Sequence, residues 1–136
     1  MEKVLKSEAE MIAFGEELGK SLKAPAVVEL VGDVGTGKTT ITKGIAKGLG
    51  ILAEVTSPSF MISKTYDYEN GRLVHYDFYR LNDPGIMSED LLENINDKNT
   101  ITIVEWADSV SDILPENHEK LEVLLNDDGT RTVRKI

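Results

Sequence analysis

Apolar positions along the chain follow two periodicities, a helical one in two stretches of the first fifty residues and strand-like runs further on, and these divide the sequence into elements. Ser7-Glu8-Ala9-Glu10 has the form of a capping box, and Met11, Phe14, Leu18 and Leu22 follow it as the single stripe of a first helix. Ala26-Val27-Val28-Glu29-Leu30-Val31 is short, mostly apolar and rich in β-branched residues, the pattern of a strand covered on both faces. Gly32 to Gly37 break it, and Ile41, Ile45 and Leu49 then mark a second helix that Gly50 stops. From Phe60 to Leu81 two aromatic-rich runs flank Asn70-Gly71, a pair that favours a two-residue hairpin turn. A turn on those two residues sets Glu69 opposite Arg72, Tyr66 opposite His75 and Lys64 opposite Asp77, with His75, Asp77 and Tyr79 on one face. Ser88 to Leu92 predicts a short acidic helix, and Ile101-Thr102-Ile103-Val104-Glu105-Trp106 a second buried strand. Leu121 to Leu125 and Arg131 to Ile136 predict a closing hairpin around Asp128-Gly129. The order of strands and helices predicts an α/β fold, a mostly parallel sheet with helices on both faces and added antiparallel hairpin strands.

A length of 136 residues fits one domain spanning 1–136, and 40% hydrophobic content is enough for a core without cross-links. The absence of Cys excludes disulfides, thiol catalysis and Cys-based zinc sites. A net charge of −9 repels the nucleic acid backbone and disfavours direct, tight binding of RNA or DNA. No apolar run approaches the roughly 18 residues of a membrane span and the first residues lack a signal-like apolar region, so the expectation is a cytoplasmic protein without membrane contact.

The chemistry is concentrated between the first strand and the second helix. Gly32-Asp33-Val34-Gly35-Thr36-Gly37-Lys38-Thr39 satisfies the phosphate-binding pattern G-x-x-x-x-G-K-[ST] in the strand–helix context that pattern requires. Glycines let successive N–H groups converge on a phosphate, and the helix start adds its dipole. Lys38 supplies a mobile, exposed cation and Thr39 a hydroxyl for Mg²⁺. Asp33, Val34, Gly35, Thr36, Gly37, Lys38, Thr39 and Thr40 are therefore the candidate nucleotide contacts. Such a site also needs a carboxylate on a neighbouring strand, and two are available. Asp77 lies in an otherwise apolar run, where its alternative is a structural pair with Lys64; Glu105 ends an apolar strand, where its alternative is a solvated strand end. His75 is more simply a packed or hydrogen-bonded strand residue than a catalyst, Trp106 more simply core, and Tyr66, Tyr68, Tyr76 and Tyr79 hairpin packing. Ser57-Pro58-Ser59-Phe60 lies where P-loop switch proteins sense a terminal phosphate. Of the chain's four arginines, Arg72, Arg80, Arg131 and Arg134, none is obviously near the P-loop, so a partner is expected to complete the transition-state charge.

Taken in order, the P-loop, Thr56-Ser57-Pro58-Ser59-Phe60, His75-Tyr76-Asp77-Phe78-Tyr79-Arg80-Leu81 and Val104-Glu105-Trp106 resemble the TsaE (YjeE) family. This is the bacterial P-loop ATPase family required for threonylcarbamoyladenosine formation on tRNA. The resemblance implies a P-loop NTPase-like sheet, ATP and Mg²⁺ as cofactors, and slow, partner-stimulated hydrolysis of ATP to ADP and phosphate. It implies TsaB and TsaD as protein partners, with tRNA met only indirectly through their complex. It further implies Lys38 and Thr39 as phosphate and Mg²⁺ contacts, and Asp77 as the metal carboxylate. Glu105, with Trp106, becomes the second functional strand end, also near the metal. Lys38, Asp77 and Glu105 are then the catalytic set, with Glu105 orienting or deprotonating water. The rival readings are a nucleotide-dependent interaction switch without meaningful hydrolysis and a small-molecule kinase.

Overall fold

The computed structural model describes residues 2–58, 63–79 and 85–136. The elements run in the order β1 (Glu2–Leu5), α1 (Glu8–Ser21), β2 (Ala26–Val31), α2 (Lys38–Gly48), β3 (Ser63–Tyr68), β4 (Gly71–Asp77), α3 (Ile86–Ile95), β5 (Thr100–Glu105), a 3₁₀ turn (Ala107–Val110), β6 (Glu119–Leu125) and β7 (Arg131–Lys135). They form one seven-stranded sheet in the order β1-β7-β6-β2-β5-β4-β3. Its centre is parallel, with β2 between β5 and β6 and with β4 on the far side of β5. Antiparallel strands complete both edges, β3 on one and β7 followed by β1 on the other.

Alternation along the strands divides the core between the two faces. Val28, Leu30, Leu73, Ile101 and Ile103 pack with Met11 of α1 and with Ile41 and Ile45 of α2. Their neighbours Val27, Val74, Tyr76 and Val104 pack with Leu91 of α3 and with Val110 and Leu114. On this second face the Tyr76 hydroxyl donates to Asp90 at 2.5 Å and accepts from Asn94 at 2.6 Å, tying α3 to β4. The capping box predicted for the first helix forms, with the Ser7 hydroxyl accepting from Glu10 N at 3.1 Å. The Glu10 carboxylate accepts from Lys6 N one residue outside the cap.

The helices α1 and α2 are held together by glycines spaced four apart on each: Gly15 and Gly19, Gly44 and Gly48. A Cβ at any of the four would stand 2.3 or 2.4 Å from a backbone oxygen of the facing helix. This contact seats the start of α1 against the loop before α2, where a Cβ on Gly37 would run into the Met11 side chain. Gly44→Ala is therefore expected to force the helices apart and cost about 1–3 kcal/mol of stability, measured by urea denaturation. An unchanged midpoint would show that the helices can separate freely.

The hairpin register differs from expectation. Tyr68 pairs with Gly71, Asp67 with Arg72, Tyr66 with Leu73 and Lys64 with His75. The turn thus sits on Glu69-Asn70, and every pairing moves by two residues. Gly71 belongs to β4, where a Cβ would collide with the Asn99 carbonyl, so close approach to the neighbouring segment is what demands glycine there. A two-residue shift preserves the faces, and His75 and Asp77 still share one. It removes the proposed Asp77–Lys64 pair, since Lys64 faces His75 and its ammonium donates to the Thr56 hydroxyl. The acidic helix predicted for Ser88 to Leu92 extends from Ile86 to Ile95, and β1 adds an edge strand that the sequence pattern leaves unmarked.

Candidate functional site

Parallel pairing brings the C-terminal ends of β2, β5 and β4 to one edge of the sheet, the place where open α/β sheets bind ligands. The strand β2 runs into the loop Gly32 to Gly37, and α2 begins at Lys38. Gly35 has φ +83° and Gly37 φ +109°, backbone that side chains disfavour, and these two positions turn the loop back on itself. The open cradle and the first turn of α2 face a cavity of about 600 Å³ lined by Val34, Gly35, Gly37, Lys38, Thr39 and Thr40. Asp33 and Thr36 are outside that lining; the Thr36 hydroxyl donates to the Asp33 carbonyl at 3.0 Å and braces the loop from behind.

Residues Asp77 and Glu105 are register partners at the ends of β4 and β5, and both line the cavity. Asp77 is half-buried. Burial pushes its carboxyl above the ordinary carboxylate range, the Tyr79 N–H that donates to it at 2.9 Å pulls the other way, and the Glu105 charge adds to the upward push. Glu105 is 3% exposed, which removes the solvated-strand-end alternative. Its Oε2 accepts from His75 Nε2, and its Oε1 lies 3.7 Å from Lys38 Nζ.

Contrary to the expectation of an exposed cation, Lys38 is 6% exposed. Its ammonium donates to the Gly32 carbonyl at 2.5 Å and lies 4.0 Å from the centre of the Trp106 ring. Burial drives its pKa down, and the charges of Glu105, Asp77 and Asp33 oppose that shift. Trp106 has φ +56°, a left-handed backbone that is costly for a bulky residue and is concentrated in functional sites. This turn directly after Glu105 lays the indole between Lys38 and Tyr79, whose ring centre is 4.8 Å away. Trp106 is therefore a wall of the cavity as well as part of the core.

Sequence reasoning missed the other wall. Arg131, expected to be remote, donates from Nε to the Thr36 carbonyl at 3.0 Å and from its outer nitrogens to Gly129 at 2.8 Å and Gly35 at 3.4 Å. It fixes the Gly32–Gly37 loop from β7 and lines the cavity together with Leu5, Ser7 and Met11. Nothing local marks Arg131 as part of the site, because Gly35 and Thr36, its partners there, are more than ninety residues away. Ser57 of the expected phosphate-sensing segment lines the cavity, whereas Ser59, Phe60, Arg80 and Leu81 lie outside the described residues.

The donor set suits a metal held jointly with phosphate. Among the described residues no three His, Cys, Asp or Glu side chains form a metal cage. Mg²⁺ commonly takes one or two protein oxygens and completes its shell with water and phosphate, which is what Thr39 and Asp77 beside an open cradle offer. Among the described residues no helix is long and apolar enough to cross a membrane.

Comparison with known proteins agrees with this geometry. Residues 5–136 match the family described as threonylcarbamoyl adenosine biosynthesis protein TsaE. The tRNA threonylcarbamoyladenosine biosynthesis protein TsaE of Streptomyces coelicolor is 36% identical over 115 residues, covering 83% of this chain and 78% of the relative. The protein of the same name from Aquifex aeolicus is 35% identical over 137 residues, covering 98% and 93%. In three dimensions the crystal structure of Bacillus subtilis YdiB superposes with a TM-score of 0.83 at 30% identity, covering 99% of this chain and 83% of that one. A family match along nearly the whole chain, relatives of this identity and a shared fold place the protein in the TsaE family.

Proposed function

We propose that this chain binds ATP with Mg²⁺ at the Gly32–Thr39 loop and hydrolyses it slowly, in the service of threonylcarbamoyladenosine formation on tRNA, acting with TsaB and TsaD. The observation that carries the reading is the convergence of Lys38, Asp77 and Glu105 with the P-loop on one cavity. The loop N–H groups and Lys38 would hold the β- and γ-phosphates, and Thr39 and Asp77 would hold Mg²⁺ and its water shell. The metal, when bound, supplies charge stabilisation to the transferring phosphoryl group. Glu105 orients a water whose oxygen bonds to the γ-phosphorus as the bond to the bridging oxygen breaks. The water's proton passes through the carboxylate toward the released phosphate. The acidic chain leaves tRNA contact mainly to its partners, consistent with a net charge of −9.

The test is reconstitution with TsaB, TsaD and tRNA, scoring phosphate release and modified nucleoside together. Asp77→Asn is expected to lower both by about 10–100-fold, the usual cost of losing a group that organises a metal's shell. Because burial raises the folded-state pKa of Asp77, its ionised form costs stability once pH exceeds the ordinary carboxylate range. The neutral Asn removes that cost, so the melting temperature at neutral pH is expected to stay level or rise. Modification that proceeds at full rate without phosphate release favours the interaction switch, and phosphate recovered on a small acceptor favours the kinase.

A further inference from the structure

The family motif absorbs Asp77 and Glu105, and leaves His75 without a task. It is fully buried in β4, between Lys64 of β3 and Ile103 of β5 in the strand register. Its Nδ1 has no hydrogen-bond partner among the described residues. Its Nε2 faces Oε2 of Glu105. A carboxylate only accepts, so Nε2 carries the proton and donates.

Among the described residues two groups hold the Glu105 carboxylate: His75 on Oε2 and Lys38 near Oε1 at 3.7 Å. They differ in one respect. A P-loop lysine engages phosphate, so nucleotide binding draws Lys38 away from Oε1. His75 sits in the middle of a paired strand and has nowhere to go. In the loaded protein the orientation of Glu105 is then set by the bond that remains. We propose that His75 is a positioning residue for this reaction. By fixing Oε2 from inside the sheet, it leaves Oε1, the oxygen that Lys38 vacates, presented to the cavity and the attacking water. Without the anchor, a carboxylate with several rotatable bonds explores other rotamers, and a misplacement of about 1 Å is enough to cost a large factor in rate.

This inference rests on the water-orienting reading of Glu105, and the experiment separates the two. ATP turnover in the assembly with TsaB and TsaD, ATP affinity by calorimetry, and melting temperature are measured for wild type, His75→Leu, His75→Gln, Glu105→Gln and the double variant His75→Leu/Glu105→Gln. The expected result is that His75→Leu lowers kcat by about tenfold or more, while ATP affinity stays within about threefold of wild type, a change of less than about 0.7 kcal/mol. His75→Gln, whose amide nitrogen can donate to Oε2, is expected to recover most of the lost rate. In the Glu105→Gln background, His75→Leu is expected to cause no further loss, because a residue that acts through Glu105 has nothing left to position. If His75→Leu does not fold, His75→Asn replaces it, its amide being too short to reach Oε2. The inference is overturned if the Leu and Gln variants turn over alike with rates that follow their melting temperatures, or if the loss is the same in both backgrounds; in either case Glu105 keeps its role. Wild-type turnover in Glu105→Gln removes the parent reading, and this one with it.

Discussion

Glu105→Gln is expected to bind ATP at least as tightly as wild type and to hydrolyse it about 10²-fold more slowly or worse, the range found when a positioned base is removed. The two halves have separate causes. In the structure the Lys38 ammonium lies 3.7 Å from Glu105 Oε1, donates to the Gly32 carbonyl and rests on Trp106. Phosphate must compete with these partners for Lys38. Glutamine can still accept from His75 through its carbonyl oxygen, which turns its amide N–H groups toward Lys38, donor facing cation. The ammonium loses an attraction and is freed more easily. A carboxylate that would have repelled the γ-phosphate is gone as well, so affinity is expected to hold or to improve by about threefold, roughly 0.7 kcal/mol. Turnover has no such compensation, because an amide neither takes the proton of the attacking water nor orients it as an anion does. The check is calorimetric ATP binding beside phosphate release in the presence of TsaB and TsaD. Turnover at the wild-type rate would pass the water-orienting role to Asp77 or to a partner residue.

What the sequence made legible was whatever is governed by neighbours along the chain. The β-branched run Ala26 to Val31 became β2 over the expected residues, the capping box at Ser7 formed, and Gly50 follows α2 with φ +83°. The loop Gly32 to Gly37 is one contiguous run between β2 and α2, as its sequence pattern predicts, and alternation places Asp77 and His75 on one face whichever register the hairpin takes. The errors share a different origin. Asn70-Gly71 resembles a turn, but Gly71 answers to the Asn99 carbonyl on another segment, and the turn moved back onto Glu69. Lys38 appeared exposed because the pattern of a loop says nothing of the indole and carboxylate that close over it. Arg131 is not obviously near that loop in the sequence because sheet order, not sequence distance, carries β7 to its side. The glycine pairs in α1 and α2 were a visible signal of close helix packing, and spacing alone could have revealed them.

Lys38 is where the corrected burial changes the expected outcome most. An exposed cation could be removed at no cost to the fold; this one is buried among Glu105, Asp77 and Asp33 with its ammonium over the Trp106 ring. Two substitutions divide its contributions. Lys38→Met keeps an unbranched apolar side chain against the indole but removes the ammonium. Lys38→Ala removes both, opening a void beside Trp106 and leaving Glu105 with His75 as its remaining partner among the described residues. The Ala variant is therefore expected to melt at a lower temperature than the Met variant. Their nucleotide chemistry is expected to be alike. A charge-assisted bond to phosphate contributes about 1.5–3 kcal/mol, so ATP affinity is expected to fall by about 10–100-fold in each. Charge developing on the transferred phosphoryl group loses a preorganised donor, which lowers kcat by a further 10²-fold or so. Calorimetry, thermal melting and single-turnover hydrolysis on the two variants check the three expectations separately. Unchanged ATP affinity in Lys38→Met would remove the P-loop assignment. A shared affinity loss with equal melting temperatures would instead leave the nucleotide reading intact and show that filling the buried space of the Lys38 side chain contributes nothing to the fold.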